Sequence, residues 1–168
     1  MMGRALLVVG WLATAGVVAT AVLGYIGGGA GGDGGDTMRQ HVLLALASVL
    51  LLLFSHCWIM FYLIGTGKAI KDAVKEHGLD AAAVEETKRF KNESYPALML
   101  AMALAMATFI LGGGASTGTL PPLVHHVLFW AALVAQGRAL VREKRVLDAN
   151  ERLMADLDRT IAARPATS

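Results

Sequence analysis

Two histidines stand at matching places in separate apolar stretches of the chain. His56 opens HCWIMFYLIGTGKAI and His126 opens HVLFWAALVAQGRAL. At a shift of 70 residues, Leu63 falls on Leu133, Gly67 on Gly137, Lys68 on Arg138 and Ala69 on Ala139. Each imidazole then precedes by 12 positions the basic residue that ends its stretch. At about 1.5 Å of rise per residue that is about 18 Å into a hydrocarbon layer about 30 Å thick. A neutral imidazole on each of two helices at equal depth is the pattern that ligates a haem b iron from both faces. Cofactor sites in helix bundles are built from such inward-facing side chains. His56 and His126 are therefore the expected axial ligands. The competing expectation is ordinary hydrogen bonding between helices.

Other residues offer weaker chemistry. His125 adjoins His126 but points about 100° away on a helix, so one of the two faces the core squarely. His125 and His41 form a secondary ligand pair nearer the outer surface. A second register, at a shift of 85, places His41-Val42-Leu43 on His126-Val127-Leu128 and Gly27-Gly28-Gly29-Ala30 on Gly112-Gly113-Gly114-Ala115. The shift of 70 is preferred because it aligns Lys68 with Arg138. Cys57, Met60, Met99, Met102 and Met106 carry soft sulfur ligands, spaced to line a Cu(I) path beside His56, although methionine is also an adaptable apolar filler. A quinone is a further candidate ligand. Gly65-Thr66-Gly67-Lys68 has the look of a phosphate-loop fragment but lacks the full spacing. No Ser-His-Asp set, paired carboxylate or zinc-type Cys/His cluster is present, and Cys57 is the single cysteine.

The elements that must position these residues follow from composition. Of 168 residues, 55% are hydrophobic and 17% charged, below the ~25% charge of soluble domains. Four stretches, roughly 5–26, 40–65, 96–112 and 120–137, contain no Asp, Glu, Lys or Arg, and their lengths suit helices that cross a bilayer. With no carboxylate in these stretches, a proton-coupled transporter is not expected. Arg39 lies in the Gly/Asp loop, whereas the other basic residues gather at Arg4, in 65–94 and in the tail beyond Arg138. The positive-inside rule assigns that side, and both termini, to the cytoplasm of a cell inner membrane. The first stretch is expected to remain as a helix rather than to be cleaved at Ala19-Thr20-Ala21.

The expected architecture is all-α: an up-down-up-down four-helix membrane bundle made of two repeated hairpins. A transmembrane domain spans 1–137 and includes a cytoplasmic hairpin at 66–95; a cytoplasmic helical tail covers 138–168. Gly78 should end the second helix, Asp80 should cap the next, Gly112-Gly113-Gly114 should close the third and Pro121-Pro122 should open the fourth. In the tail, Leu140, Leu147, Met154, Leu157 and Ile161 form an apolar seam interrupted at Glu143 and Asn150. Its expected partner is the 68–93 hairpin, with a homo-oligomeric contact as second choice. In helix count and histidine placement the chain is similar to small four-helix cytochrome b subunits of respiratory complexes, a resemblance that assigns no residue by itself. The functional expectation is an electron-transfer subunit, non-catalytic on its own, in contact with lipid and with other redox-complex subunits and not with nucleic acid. The alternative is a cofactor-free accessory or assembly subunit.

Overall fold

The computed structural model describes residues 2–27 and 34–163. They form four helices: α1 (Met2–Gly27), α2 (Gly34–Glu76), α3 (Ala82–Ser116) and α4 (Pro122–Ala162). All four are long and apolar enough to cross a membrane. Most of the Gly/Asp loop, residues 28–33, lies outside the described residues, and α2 already begins at Gly34.

The helix ends follow from local chemistry. Gly78 takes φ +57° after α2, a conformation that glycine adopts without steric cost. That turn lets the Leu79 N–H donate to the Val74 carbonyl at 2.9 Å. Asp80 accepts from the Ala82 N–H at 2.9 Å, satisfying one of the donors that a helix start leaves free. Pro122 occupies the first turn of α4, where its missing N–H costs nothing. Gly112-Gly113-Gly114 behaves differently from the expectation. α3 runs through it to Ser116, and the break comes at Gly118, with φ +75°. The reason is contact: a Cβ on Gly112 would lie 2.8 Å from Cε1 of His125, so this glycine admits a ring from α4 and leaves the helix intact.

Packing sorts residues by size. Large apolar side chains such as Trp11, Phe61, Ile110 and Trp130 face outward, as lipid contact requires. Ala101, Ala135 and Ala139 pack together between α3 and α4, and Ala13 packs with Leu52 and Ala105. Small residues at helix contacts let backbones approach, which is how membrane helices gain attraction without a hydrophobic driving force. At the end of the bundle that holds the first turns of α1, Leu6, Ile59, Leu63, Phe90, Leu98, Val146 and Leu147 join all four helices in one cluster.

The tail seam is buried at Leu140 and Leu147 and half-buried at Met154, Leu157 and Ile161, and its partners extend beyond the hairpin. Leu147 packs with Phe90 of α3 and also with Leu6 of α1. Arg145 pairs with Glu93 at 3.1 Å and Arg142 reaches the Glu93 carbonyl at 3.4 Å. Contacts between α2 and α4 join residues 80, 87 and 84 positions apart: His56 with Gln136, His56 with Glu143, and Thr66 with Asn150. Across the bundle, α2 and α4 are therefore in register close to the shift of 85, and far from 70. The preference for 70 treats Arg138 as a marker of the membrane border, yet its side chain is exposed on the outside of α4. A long basic side chain there can run along apolar surface to reach water.

α1 comes close to α2 at Gly16, where a Cβ would stand 2.4 Å from Ser48 Oγ and 3.2 Å from Ser48 Cβ. Gly16→Leu should lower stability by about 1–3 kcal/mol through overpacking, read as a fall in unfolding temperature in detergent. Gly65→Ala, where a Cβ meets nothing within 4 Å, should change stability by less than about 1 kcal/mol.

Candidate functional site

Two polar regions occupy different levels of the bundle. The outer one is a cavity of about 700 Å³ between all four helices. Leu52, Ala105 and Gln136 stand at its inner end; Tyr25, Met38 and Pro122 stand at its outer end. His41, His125 and His126 all line it.

His41 and His125 are held in the same way. His41 Nδ1 lies 2.8 Å from the Thr20 carbonyl of α1, and a Cβ on Gly24 would meet the His41 ring at 2.9 Å. His125 Nδ1 lies 3.1 Å from the Thr108 carbonyl of α3, and a Cβ on Gly112 would meet the His125 ring at 2.8 Å. In each hairpin a glycine one turn beyond the accepting carbonyl makes room for the ring. A carbonyl can only accept, so Nδ1 carries a hydrogen in both rings, and in the neutral ring Nε2 then has the lone pair. Metal-ligating histidines are oriented by this kind of hydrogen bond. His126 is held differently: its Nδ1 lies 3.2 Å from the Tyr25 hydroxyl, and its ring stands edge-on to Tyr25 at 5.4 Å.

The inner region is buried at His56, Glu143, Gln136 and Ser55. His56 Nδ1 lies 2.5 Å from Glu143 Oε1, and His56 Nε2 lies 2.8 Å from Gln136 Oε1. Gln136 Nε2 donates to Thr14 Oγ1 at 3.0 Å, and Thr14 donates to the Gly10 carbonyl at 2.8 Å. His56 and Glu143 are both 0% exposed. Ser55 Oγ and Glu143 Oε2 are buried without a hydrogen-bond partner among the described residues. A Cβ on Gly10 would come within 3.3 Å of the first and 3.8 Å of the second.

The structure thus separates His56 from His126. Gly10 marks the level of the Glu143 cluster and Gly24 that of His41, and about 14 residues of α1 between them span about 21 Å. Both ring nitrogens of His56 are taken by side chains, while His41, His125 and His126 share one cavity. Among the sulfur residues, Cys57 Sγ lies 3.9 Å from Met102 Sδ. Met60 packs inward, and Met99 and Met106 are exposed. No three His, Cys, Asp or Glu side chains among the described residues gather to chelate a bare ion. A porphyrin-held iron needs only two protein ligands.

Glu143, Gln136, Thr14 and Ser55 are polar site residues that the reading by stretches passes over. Glu143 lies beyond the fourth apolar stretch, yet it sits inside the bundle beside His56. Its signal is periodic: Gln136, Glu143 and Asn150 recur every seven residues between Leu140, Leu147 and Met154, the spacing of a packed helical seam. Neither a protein-family model, nor a curated protein, nor a solved structure matches the chain.

Removing one member of a buried pair leaves the other desolvated and unpartnered. Glu143→Ala should therefore lower stability by about 3–5 kcal/mol. The double variant His56→Phe/Glu143→Leu should recover most of that loss, since an apolar pair has no charge to bury. Unfolding of His56→Phe, Glu143→Leu and the double variant in detergent measures the coupling.

Proposed function

We propose that the protein is a membrane-embedded b-type cytochrome, an electron-transfer subunit whose haem would be held in the outer cavity by His41 and His125. The observation that carries this is the shared tautomer: on α2 and on α4 a histidine gives its Nδ1–H to a backbone carbonyl and keeps Nε2 for a ligand, and both rings border one cavity. The cavity's volume falls in the ~300–1,000 Å³ range of cofactor and ligand pockets. Its wall is largely apolar, with Ala21, Val49, Phe109 and Leu133 beside the polar groups, which suits a flat hydrophobic macrocycle. Bound there, the group would supply one-electron redox chemistry. The chain's own part is to orient two imidazoles, exclude water with α1 and α3, and place His126 and Tyr25 beside the outer edge.

The matched settings of His41 and His125 also favour reading α1–α2 and α3–α4 as two copies of one hairpin, in an up-down-up-down order. The basic residues favour an inner membrane with both termini in the cytoplasm. The cavity then opens near the outer surface and the His56–Glu143 cluster lies toward the cytoplasm.

Visible absorption of the purified protein checks this reading. A Soret band with sharp α and β bands on reduction is expected. His41→Ala and His125→Ala should each abolish the six-coordinate spectrum, whereas His56→Ala and His126→Ala should retain it. Colourless protein from haem-replete cells, unchanged by added haemin, overturns the cytochrome. Loss of haem in His56→Ala and His126→Ala alone returns the ligands to the pair that the shift of 70 selects.

A further inference from the structure

We propose that the groove between α3 and α4 on the outside of the bundle binds an anionic phospholipid, with Arg138 holding the phosphate and one acyl chain lying along the groove. The groove shares no lining residue with the histidine cavity, and the site does not depend on what that cavity binds.

Charge raises the question that a lipid answers. Arg138, Arg142 and Arg145 recur at spacings of four and three, so they share one face of α4. The two nearer the end of the apolar run are tied to α3: Arg145 pairs with Glu93 at 3.1 Å, and Arg142 donates to the Glu93 carbonyl at 3.4 Å. Arg138, the innermost, is exposed and forms no ion pair or hydrogen bond among the described residues. Its height follows from α3. Ala101 packs with Ala135 and Ala139, and it lies eight residues past Glu93, the last charged residue of that helix. Eight residues of helix rise about 12 Å. A guanidinium at that level, on a surface facing hydrocarbon, is costly without a counter-charge, and arginine does not lose its proton. The long side chain extends back toward the charged border, where the anions at hand are lipid phosphates.

Shape supplies the other half of the site. The groove has a volume of about 430 Å³ and runs from Arg138 past Val134 to Trp130, a length of about 12 Å along α4. Apart from Arg138 its lining is apolar, with Leu100 and Leu104 of α3 facing Ala131 and Val134 of α4. Ala135 is buried at the contact where α3 and α4 approach, whereas Leu100, Trp130 and Val134 stand out from the surface at 55%, 55% and 60% exposure. A channel with a small-residue floor and large walls is the result. Its polarity matches a phospholipid: the cation is at the end nearest the charged border, and the apolar channel leads from there toward the middle of the bilayer. The planar guanidinium can bond two phosphate oxygens at once. Basic pockets between membrane helices bind anionic headgroups by this chemistry.

Charge also selects among occupants. A helix packed into the groove would have to bring a carboxylate to the level of Arg138. A second copy of this chain has none to bring, because its four apolar stretches contain no Asp or Glu and its Glu143 is buried against His56. A zwitterionic lipid carries a cation next to its phosphate, which offsets the attraction. On the arginine face, three guanidinium groups meet the single carboxylate of Glu93, so the local charge is positive and favours a lipid with a net negative headgroup.

Quenching of Trp130 fluorescence by lipids with brominated acyl chains tests the site. The full chain carrying Trp11→Phe and Trp58→Phe keeps Trp130 as its single tryptophan and is placed in phosphatidylcholine nanodiscs. Brominated phosphatidylglycerol should quench Trp130 more than the same mole fraction of brominated phosphatidylcholine. The comparison is between two quenchers, so it holds whatever the outer cavity contains. In this background Arg138→Gln should remove the preference, a loss of about fivefold in relative affinity for the anionic lipid. Arg138→Lys keeps the charge but not the fork and should retain part of it. Ala131→Phe fills the groove without changing a charge and should lower quenching by phosphatidylglycerol. Lys71→Gln removes the same charge from the exposed surface of α2 and should leave the preference intact. Arg138, Ala131 and Lys71 are all exposed, so these variants keep the helix contacts. Equal quenching by the two lipids overturns the site, as does a preference unchanged in Arg138→Gln or in Ala131→Phe. A preference lost equally in Lys71→Gln shows diffuse attraction to the whole basic surface and also overturns it. Quenching by neither lipid, with two chains per disc, puts a second copy in the groove instead.

Discussion

Every polar side chain placed inside these helices has to find its partner on another helix or on its own backbone, because a hydrocarbon surrounding offers none. The rest of the arrangement follows from that constraint. Thr20, Thr66, Ser94 and Thr108 turn their hydroxyls back onto carbonyls of their own helix. His41 and His125 use carbonyls of a neighbouring helix, and His56 uses two side chains of α4. Each such bond sets the rotation and the height of a helix against its neighbour, so the polar contacts specify a register that smooth apolar surfaces would leave free to slide. Apolar packing supplies attraction without this selectivity.

Glycine makes the polar contacts possible. Between α1 and α2 it recurs at Gly10, Gly16 and Gly24, facing Ser55, Ser48 and His41 in turn. Between α3 and α4, Gly112 faces His125, with alanines along the rest of the contact. A side chain at any of these positions would push the helices apart and stretch the hydrogen bonds beyond useful length. The cavity and the close contacts are two results of one distribution: small residues pull the inner parts of the helices together, while the histidine rings hold the outer ends apart.

The helices themselves were legible in the chain, because four charge-free stretches of bilayer length admit few other structures. Gly78 and Pro122 also act where turn and cap chemistry puts them, while Asp80 accepts from Ala82 one position ahead of the N-cap, Ala81. The depth of each side chain was harder to read. Basic residues are poor markers of depth: Arg138 is exposed on a helix whose buried face continues through Glu143 to Asn150. Treating Lys68 and Arg138 as equals aligned His56 with His126, whereas α2 and α4 meet near the other register. The carboxylate was hidden by the same error. Glu143 looks like a solvated break in an amphipathic tail until His56 is seen across from it. A search for period-seven polar residues within the seam would have exposed it.

The two polar regions differ in how they relate to the hairpins. The histidine-on-carbonyl device occurs once in each, with a glycine at the same place. Among the described residues the inner cluster occurs once. At the separation of 84 that joins Thr66 to Asn150, Gln136 and Glu143 correspond to Leu52 and Ile59, and His56 corresponds to Leu140. All three counterparts are apolar and buried. On the reading of the hairpins as copies, the outer device belongs to the scaffold from which both were made, as a site needing one ligand from each half requires. The inner cluster is then a later asymmetry, built where α4 passes α1 and α2.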